Sequence, residues 1–228
     1  PSALAGFDGE AAYVVDTNLA GTVNCLELAR RYQAELVFLS TSRVYPYEAL
    51  NTLPFLETPT RFDWQLDRAC TGVSAQGVAE DFPLEGVRTL YGATKLCAEL
   101  LIREYVSMYA VRAVLNRCGV LTGPWQMGKV DQGFAVLWAA RHHFGGALSY
   151  IGFGGQGKQV RDLLHVEDLF ELLRLQLRDL AVHSGQVYNV GGGRDVSVSL
   201  LELTGLCRAA TGKTIPIHSE ASTRPGDV

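Results

Sequence analysis

The stretch Leu36-Val37-Phe38-Leu39-Ser40-Thr41-Ser42-Arg43-Val44-Tyr45 places an unbroken apolar run directly before three hydroxyl side chains. An apolar run of this length without alternation is typical of a strand buried on both faces of a parallel sheet. Ligands of open α/β sheets bind at the carboxyl ends of the strands. The stretch therefore predicts a buried strand at 36–40 with a ligand site at its end. A polar loop cap is the alternative interpretation of the hydroxyls.

The rest of the chain alternates between helical and extended patterns. Helical spacing of apolar residues covers 18–33, 91–109, 133–144, 166–180 and 200–211, and short apolar runs cover 111–117, 148–152, 186–190 and 214–217. Such alternation predicts an α/β fold with a mainly parallel sheet. Residues 46–90 show no period, and a loop this long inside a compact domain is usually functional or mobile.

Composition excludes several classes of protein. The chain has 228 residues, 47% of them hydrophobic, with 24 acidic and 20 basic residues and a net charge of −4. This balance argues against a nucleic-acid-binding protein. No apolar run is long enough for a membrane-spanning helix. Five scattered cysteines without a C-x-x-C pair argue against a disulfide framework or zinc site. We expect a cytoplasmic protein that binds neither nucleic acid, membrane nor metal.

One glycine-rich segment imitates a dinucleotide-binding motif. Gly152–Gly157 matches G-x-G-x-x-G and follows a predicted strand. The motif also needs a helix that begins on its last glycines, so that the helix dipole meets the pyrophosphate. The residues that follow, 158–162, favour extended structure instead. The segment is therefore interpreted as a tight hairpin whose glycines adopt positive φ.

The segment Tyr91-Gly92-Ala93-Thr94-Lys95 brings a phenol and an ammonium together. Residues four apart lie on the same face of a helix. An ammonium near a phenol favours the phenolate and lowers its pKa, as abstraction of an alcohol proton near neutral pH requires. An ordinary tyrosine beside a solvated lysine is the alternative. The Tyr91–Lys95 pattern and the hydroxyls of the predicted strand end at Ser40–Ser42 together indicate such a site more specifically than either does alone.

With these motifs in place, the chain resembles the extended short-chain dehydrogenase/reductase family of nucleotide-sugar epimerases and dehydratases. The similarity runs over nearly the whole chain, and the matching blocks are Asn18-x-x-Gly21-Thr22, Thr41-x-x-Val44-Tyr45, Tyr91-x-x-x-Lys95, Gly123-Pro124, Arg161–Asp168, Tyr188–Gly191 and Arg224–Asp227. The resemblance implies a Rossmann-like, doubly wound, mainly parallel sheet with a smaller α+β substrate-binding part.

The resemblance implies NAD-dependent epimerisation of a nucleotide-diphosphate sugar. Tyr91 would take the proton of a sugar hydroxyl, and Thr41 would hold the same oxygen. Lys95 would lower the pKa of Tyr91 and hold the nicotinamide ribose. Gln132 with its neighbours and the segment 157–165 particularly resemble epimerases that act at C2 of CDP-sugars. A C4 epimerase, a reductase, and a non-catalytic scaffold or incomplete fragment stay open as alternatives.

The resemblance also implies binding residues. The cofactor would contact Asn18, Tyr91, Lys95, Cys118 and Gly119. The substrate would contact Thr41, Gln132, Ser149, Ile151, Arg161 and Arg224, with the two arginines on the diphosphate. A surface ion pair is the alternative role for each arginine. Two departures affect local substrate contacts: Val120 replaces the family's asparagine, and Pro46 stands where a glycine is usual. The Ser42-Arg43 pair lacks the carboxyl groups of the dehydratases, which disfavours dehydration.

The order of the motifs predicts how the chain is divided. Residues 1–122 would form the remaining part of an NAD-binding domain with the catalytic residues, and residues 123–228 the nucleotide-sugar-binding part. The strand at 186–190 would return to the main sheet. About 60–100 residues of β-α-β units would precede the chain, so it is expected to be truncated at both ends and to bind NAD poorly alone. Helices 18–33 and 91–110 would pair in a homodimer.

Overall fold

The computed structural model describes residues 5–7, 9, 11–65, 70–130, 132–224 and 226–227. Asp131 and Pro225, which belong to two of the matched blocks, lie outside these residues. The helices are α1 (Ala11–Val15), α2 (Gly21–Tyr32), α3 (Tyr47–Asn51), α4 (Leu90–Tyr109), α5 (Phe134–Phe144), α6 (Val166–Arg178), α7 (Leu180–His183) and α8 (Leu200–Thr211). A π-helical turn, Asp16–Ala20, joins α1 to α2. Within the described ranges, no helix is both long and apolar enough to cross a membrane.

The strands form three sheets and two small hairpins. They are β1 (Leu36–Thr41), β2 (Phe55–Glu57), β3 (Phe62–Trp64), β4 (Val73–Ser74), β5 (Gly77–Val78), β6 (Ala113–Cys118), β7 (Val120–Thr122), β8 (Leu148–Ile151), β9 (Val160–His165), β10 (Val187–Val190), β11 (Ser197–Ser199) and β12 (Ile217–Glu220). The sheet orders are β1-β6-β10, β11-β9-β7 and β12-β8, while β2-β3 and β4-β5 are antiparallel hairpins.

The first sheet is parallel and carries helices on both faces. β6 lies at its centre, and all six of its residues are buried. On one face, Leu26 of α2 and Ile102 of α4 pack with Leu115 of β6. On the other face, Leu169 of α6 packs with Val190 of β10. A parallel sheet between two helical layers is a doubly wound α/β arrangement, so the predicted fold class is confirmed.

The second part of the molecule has its own core. Trp138 of α5, Leu148 of β8 and Leu203 of α8 pack together there. β8 and β12 pair in parallel beneath these helices. β7 pairs with β9, although its residues precede the boundary predicted at 122. The chain thus enters the second part directly after β6 and returns to the first sheet with β10.

Three sequence-based interpretations are corrected by the structure. Residues 46–90 contain α3 and both small hairpins, which are too short to leave a period in the sequence. Gly152–Gly157 is not a hairpin, because the flanking strands β8 and β9 belong to different sheets. Its glycines do adopt positive φ, as at Gly152 (82°) and Gly157 (71°). The last strand also begins later than predicted, at Ile217 rather than 214.

Candidate active site

The ends of three parallel strands meet in one row. Thr41 of β1 lies opposite Cys118 of β6, and Cys118 lies opposite Val190 of β10. The Gly119 amide donates to the Val190 carbonyl oxygen at 2.8 Å, so backbone hydrogen bonding continues between the ends of β6 and β10. Thr41 is 8% exposed and Cys118 is 6% exposed. Two of the residues predicted to act in a reaction site therefore lie side by side at the ligand-binding edge of the sheet.

A close backbone approach brings helix α4 to this edge. The Thr89 hydroxyl caps the helix by accepting from the Gly92 amide at 3.2 Å. Gly92 packs directly on the turn that follows Thr41, and a Cβ atom at this position would collide with the Arg43 carbonyl oxygen. Glycine is therefore required in the third position of the helix. The approach places Tyr91 beside Thr41.

The side chains of Tyr91 and Thr41 are neighbours. Burial raises the pKa of Tyr91, and the neighbouring Thr41 hydroxyl opposes this only in part. The Lys95 ammonium donates to the Leu39 carbonyl oxygen at 2.8 Å and lies 4.4 Å from the centre of the Phe38 ring. Burial lowers the pKa of Lys95. The expected lowering of the Tyr91 pKa by Lys95 is therefore not seen, because the ammonium is engaged at β1 and burial of the phenol dominates.

Asn18 supports α4 from behind. It is buried in the π-helical turn, and its Nδ2 donates to Thr94 Oγ1 at 3.0 Å. The Thr94 hydroxyl in turn donates to the Tyr91 carbonyl oxygen at 2.9 Å. Asn18, which the resemblance assigned to the cofactor, thus contacts the helix segment between Tyr91 and Lys95.

Burial raises the pKa of the Cys118 thiol to about 11, so this group is neutral near pH 7.

A cavity of about 980 Å³ opens beside the strand ends. Its walls come from β9, from the ends of β6 and β10, and from the segment between β1 and α4. Its lining includes Ser42, Thr89 and Gly119, which neighbour the row formed by Thr41, Cys118 and Val190, here called the active-site row. Thr41, Tyr91 and Lys95 themselves do not line the cavity. A volume of this size accommodates a nucleotide-sized ligand.

Two guanidinium groups sit together in this cavity. Arg43 and Arg161 both line it, and both face the Asp227 carboxylate, at 3.8 Å and 4.0 Å. Burial, together with the charge of Arg43, lowers the pKa of Arg161 to about 10. Arg161 also lies near the Asp162 carboxylate, which lines the cavity as well. Guanidinium groups in a cavity wall suit an anionic ligand such as a phosphate or diphosphate.

Four predicted substrate contacts lie away from the cavity lining. Gln132 forms a tight backbone pair with Lys129 and is exposed. Ser149 and Ile151 belong to β8, where each is paired with β12. Arg224 is half-buried and does not line the cavity. Of the predicted substrate residues other than Thr41, the structure brings only Arg161 to the cavity.

A buried polar network lies beneath the strand ends, and the sequence interpretation missed it. The Arg117 guanidinium of β6 makes a two-pronged contact with the Glu99 carboxylate of α4, at 2.8 and 3.1 Å, and each side chain is 1% exposed. Ser40 also donates to Glu99. Arg117 further donates to the Tyr45 hydroxyl at 2.9 Å, and that hydroxyl donates to Asn189 Oδ1 at 2.8 Å.

This network connects α4, β1, β6 and β10. Its strand residues lie one position before those of the active-site row. A signal for it existed in the sequence: Arg117 is a charge inside an otherwise apolar strand, and a charge there requires a buried partner. Its partner Glu99 lies one helical turn beyond Lys95.

Three ion pairs hold the β2–β3 hairpin against the second part of the molecule. Their N–O distances are 2.6 Å for Arg61–Glu202, 2.7 Å for Lys158–Glu57 and 2.7 Å for Arg194–Asp63. The hairpin residues Phe55, Phe62 and Trp64 line the outer wall of the cavity. The segment 46–90 thus forms part of the cavity wall.

Among the residues that the structure describes, no cluster of three or more histidine, cysteine or acidic side chains is arranged to hold a metal.

Comparison with known proteins gives a consistent family. Residues 7–191 match the family described as the NAD dependent epimerase/dehydratase family. The chain is 31% identical over 193 residues to CDP-paratose 2-epimerase of Salmonella typhi, covering 82% of this chain and 54% of that protein. It is 30% identical over 232 residues to a protein of Rhizobium meliloti described as a probable UDP-glucuronate 4-epimerase, covering 94% of this chain and 58% of that protein.

Solved structures agree with these matches. The chain superposes on the UDP-glucose 4-epimerase of Thermus thermophilus, determined in complex with NAD, with a TM-score of 0.67 and 26% identity. The superposition covers 92% of this chain and 59% of the other. Further relatives are described as dTDP-glucose 4,6-dehydratases. The chain spans about half the length of the curated relatives it matches.

Proposed function

Because this chain belongs to the NAD-dependent epimerase/dehydratase family, we propose that it carries the catalytic and substrate-binding residues of an NAD-dependent nucleotide-sugar epimerase. One observation carries the proposal. The neighbouring side chains of Thr41 and Tyr91 lie at the carboxyl edge of a parallel sheet, beside a cavity whose lining includes the guanidinium groups of Arg43 and Arg161. A proton-transfer pair next to an anion site suits a reaction on a sugar that is linked to a diphosphate.

The residues of the strand edge fit the nicotinamide end of NAD. Gly119 has no side chain beside Cys118 and lines the cavity, with the Asp162 carboxylate packed against it. The half-buried Lys95 ammonium has three donor hydrogens, of which the Leu39 carbonyl takes one. We assign Lys95 and Tyr91 to the ribose hydroxyls, and Cys118 and Gly119 to the neighbouring backbone surface. Asn18 acts on this site through Thr94. When bound, NAD supplies a reversible hydride acceptor.

The residues of this chain then perform the proton chemistry. Tyr91 accepts the proton of one sugar hydroxyl as the carbon below it is oxidised to a ketone. Thr41 donates a hydrogen bond to the same oxygen and stabilises the charge that develops there. The keto-sugar presents its other face, and Tyr91 returns the proton to the oxygen as the carbon is reduced. A raised pKa keeps Tyr91 protonated near neutral pH, so the first half of the reaction requires a cationic neighbour that stabilises the phenolate.

We further propose C2 of a CDP-sugar as the position of reaction. The similarity to CDP-paratose 2-epimerase supports this choice. The Ser42-Arg43 pair favours an epimerase over a dehydratase, because neither side chain carries the carboxyl group that elimination of water needs at these positions. A C4 epimerase is the second candidate, favoured by the match to the Rhizobium meliloti protein. A reductase and a non-catalytic scaffold are the remaining ones.

The test uses the protein that carries this chain. It is incubated with NAD and, separately, with CDP- and UDP-sugars, and the product stereochemistry is read by NMR. Inversion at C2 of a CDP-sugar without net change in NADH is the expected result. Inversion at C4 selects the second candidate, net NADH consumption selects a reductase, and the absence of any product from every sugar selects the scaffold.

We also propose a homodimer. α2 and α4 pack on the same face of the first sheet, and both leave large apolar side chains exposed: Leu28 and Tyr32 on α2, and Leu100 and Met108 on α4. Apolar surface on two neighbouring helices favours pairing with a second copy through a four-helix contact. Light scattering at micromolar concentration tests this, and a monomer contradicts it.

We further propose that the chain divides into its two parts at 122/123 and that the protein is cytoplasmic.

A further inference from the structure

One buried amide in the cavity has an unused hydrogen-bond acceptor. Gln159 is 9% exposed and lines the cavity. Its Nε2 donates to the Ile151 carbonyl oxygen at 2.9 Å, which fixes the orientation of the amide. Its Oε1 is buried and has no hydrogen-bond partner among the described residues. A buried acceptor without a partner is costly in a folded protein, and in a cavity wall it indicates a position that a ligand donor completes.

The surroundings of Gln159 indicate which part of a ligand lies there. Arg161 is two residues further along an extended segment and also lines the cavity. Side chains two residues apart in an extended chain lie on one side, separated by about 7 Å. That separation is similar to the separation of a nucleobase from its phosphates. Phe153 and Phe62 form an edge-to-face pair at 6.4 Å in the same wall, and they supply an apolar surface for a ring.

We propose that Gln159 selects the nucleobase of the substrate by accepting a hydrogen bond from an N–H group on its edge. This inference rests on the proposed function, because it assumes that the diphosphate occupies the site of Arg43 and Arg161. For a CDP-sugar the donor is the exocyclic amine of cytosine. Gln159 is thus a specificity residue that takes no part in proton transfer at Tyr91.

The physical basis is a difference in free energy. A buried acceptor without a donor costs more free energy than a satisfied hydrogen bond contributes. A ligand with the N–H donor satisfies Oε1, whereas a ligand without it leaves Oε1 buried and unpaired. Sites built to accept or donate such a bond reject analogues that lack the partner group far more strongly than apolar pockets do. We expect a loss of at least about tenfold in affinity when the donor is removed.

The experiment measures nucleotide affinity by isothermal titration calorimetry on the protein that carries this chain, saturated with NAD. CDP is compared with N4,N4-dimethyl-CDP, which keeps the ring and the diphosphate but lacks the amine hydrogens. The comparison is repeated in Gln159→Leu. Gln156→Leu is the matched control, because Gln156 is an exposed glutamine of the same connection and does not line the cavity.

The expected result is at least about tenfold weaker binding of the dimethylated nucleotide to the parent and to Gln156→Leu, with no such difference in Gln159→Leu. Equal affinities in the parent overturn the inference and leave the proposed function standing. A difference that persists in Gln159→Leu assigns the recognition to another residue and also overturns it. No binding of CDP at all overturns the proposed function together with the inference. If Gln159→Leu does not fold, equal affinities of the two nucleotides in the parent still overturn the inference.

Discussion

Replacement of Arg117 by methionine tests the buried network beneath the active-site row. Methionine keeps most of the side-chain volume but removes the contacts with Glu99, the Tyr45 hydroxyl and the Glu80 carbonyl oxygen. The Glu99 carboxylate would stay buried with Ser40 as its remaining donor. Breaking one partner of a buried pair costs about 3–5 kcal/mol. Since whole domains are stable by about 5–15 kcal/mol, this change removes a large share of the free energy of unfolding.

Urea unfolding followed by circular dichroism measures the effect. With a slope of about 2–3 kcal/mol per molar urea, the midpoint should fall by about 1–2 M. Arg174→Met is the control, because its partner Glu171 lies on the surface and both side chains are about half exposed. That variant should lose less than about 1 kcal/mol. A loss below about 1 kcal/mol for Arg117→Met would refute the reasoning. Adding Glu99→Leu should restore most of the loss, because the unpaired charge is then removed.

The remaining predictions concern activity, binding and pH. Tyr91→Phe should lower the turnover of the protein that carries this chain by about 10²–10⁴-fold with an unchanged circular dichroism spectrum. Arg161→Met should weaken CDP binding by at least about tenfold, while Arg178→Met on exposed α6 should leave it unchanged. Hydrogen bonding to Arg61 lowers the pKa of Glu202 from 4.5 to about 2. Its contribution to stability is full above pH 4.5 and is lost as the pH falls toward 2, so the melting-temperature advantage of the parent over Glu202→Gln should shrink in that interval. An advantage of equal size at pH 6 and pH 2.5 contradicts this.

Local patterns predict much of this fold. The apolar run of β1 and the helical period of α4 depend on residues that are near in sequence, and both elements begin within one residue of the predicted positions. The segment 46–90 could not be predicted in this way. Its hairpins are held by partners distant in sequence, as in the pair Arg61–Glu202, which are 141 residues apart. A short stretch of sequence contains no information about contacts with residues so far away in the chain.

The same distinction applies to the site. Thr41 and Tyr91 could be placed together, because each follows from a local motif at a strand end or a helix start. Ser149 and Ile151 were assigned from the family resemblance, yet their strand pairs with β12 and neither residue lines the cavity. Gln159 escaped notice because a glutamine has no distinctive pattern. Only its burial and its unpaired oxygen mark it as a recognition group.

The chain leaves the first sheet twice at neighbouring strand ends, and one carboxylate packs against both exits. It leaves β6 at Gly119 and leaves β10 after Val190, and these residues are joined by a backbone hydrogen bond. Both exits lie against Asp162 of β9, since a Cβ atom at Gly119 or Gly191 would meet its carboxylate. The position of β9 is therefore tied to the ends of β6 and β10. A displacement of β9 would be transmitted to the row of strand ends that includes Thr41 and Cys118.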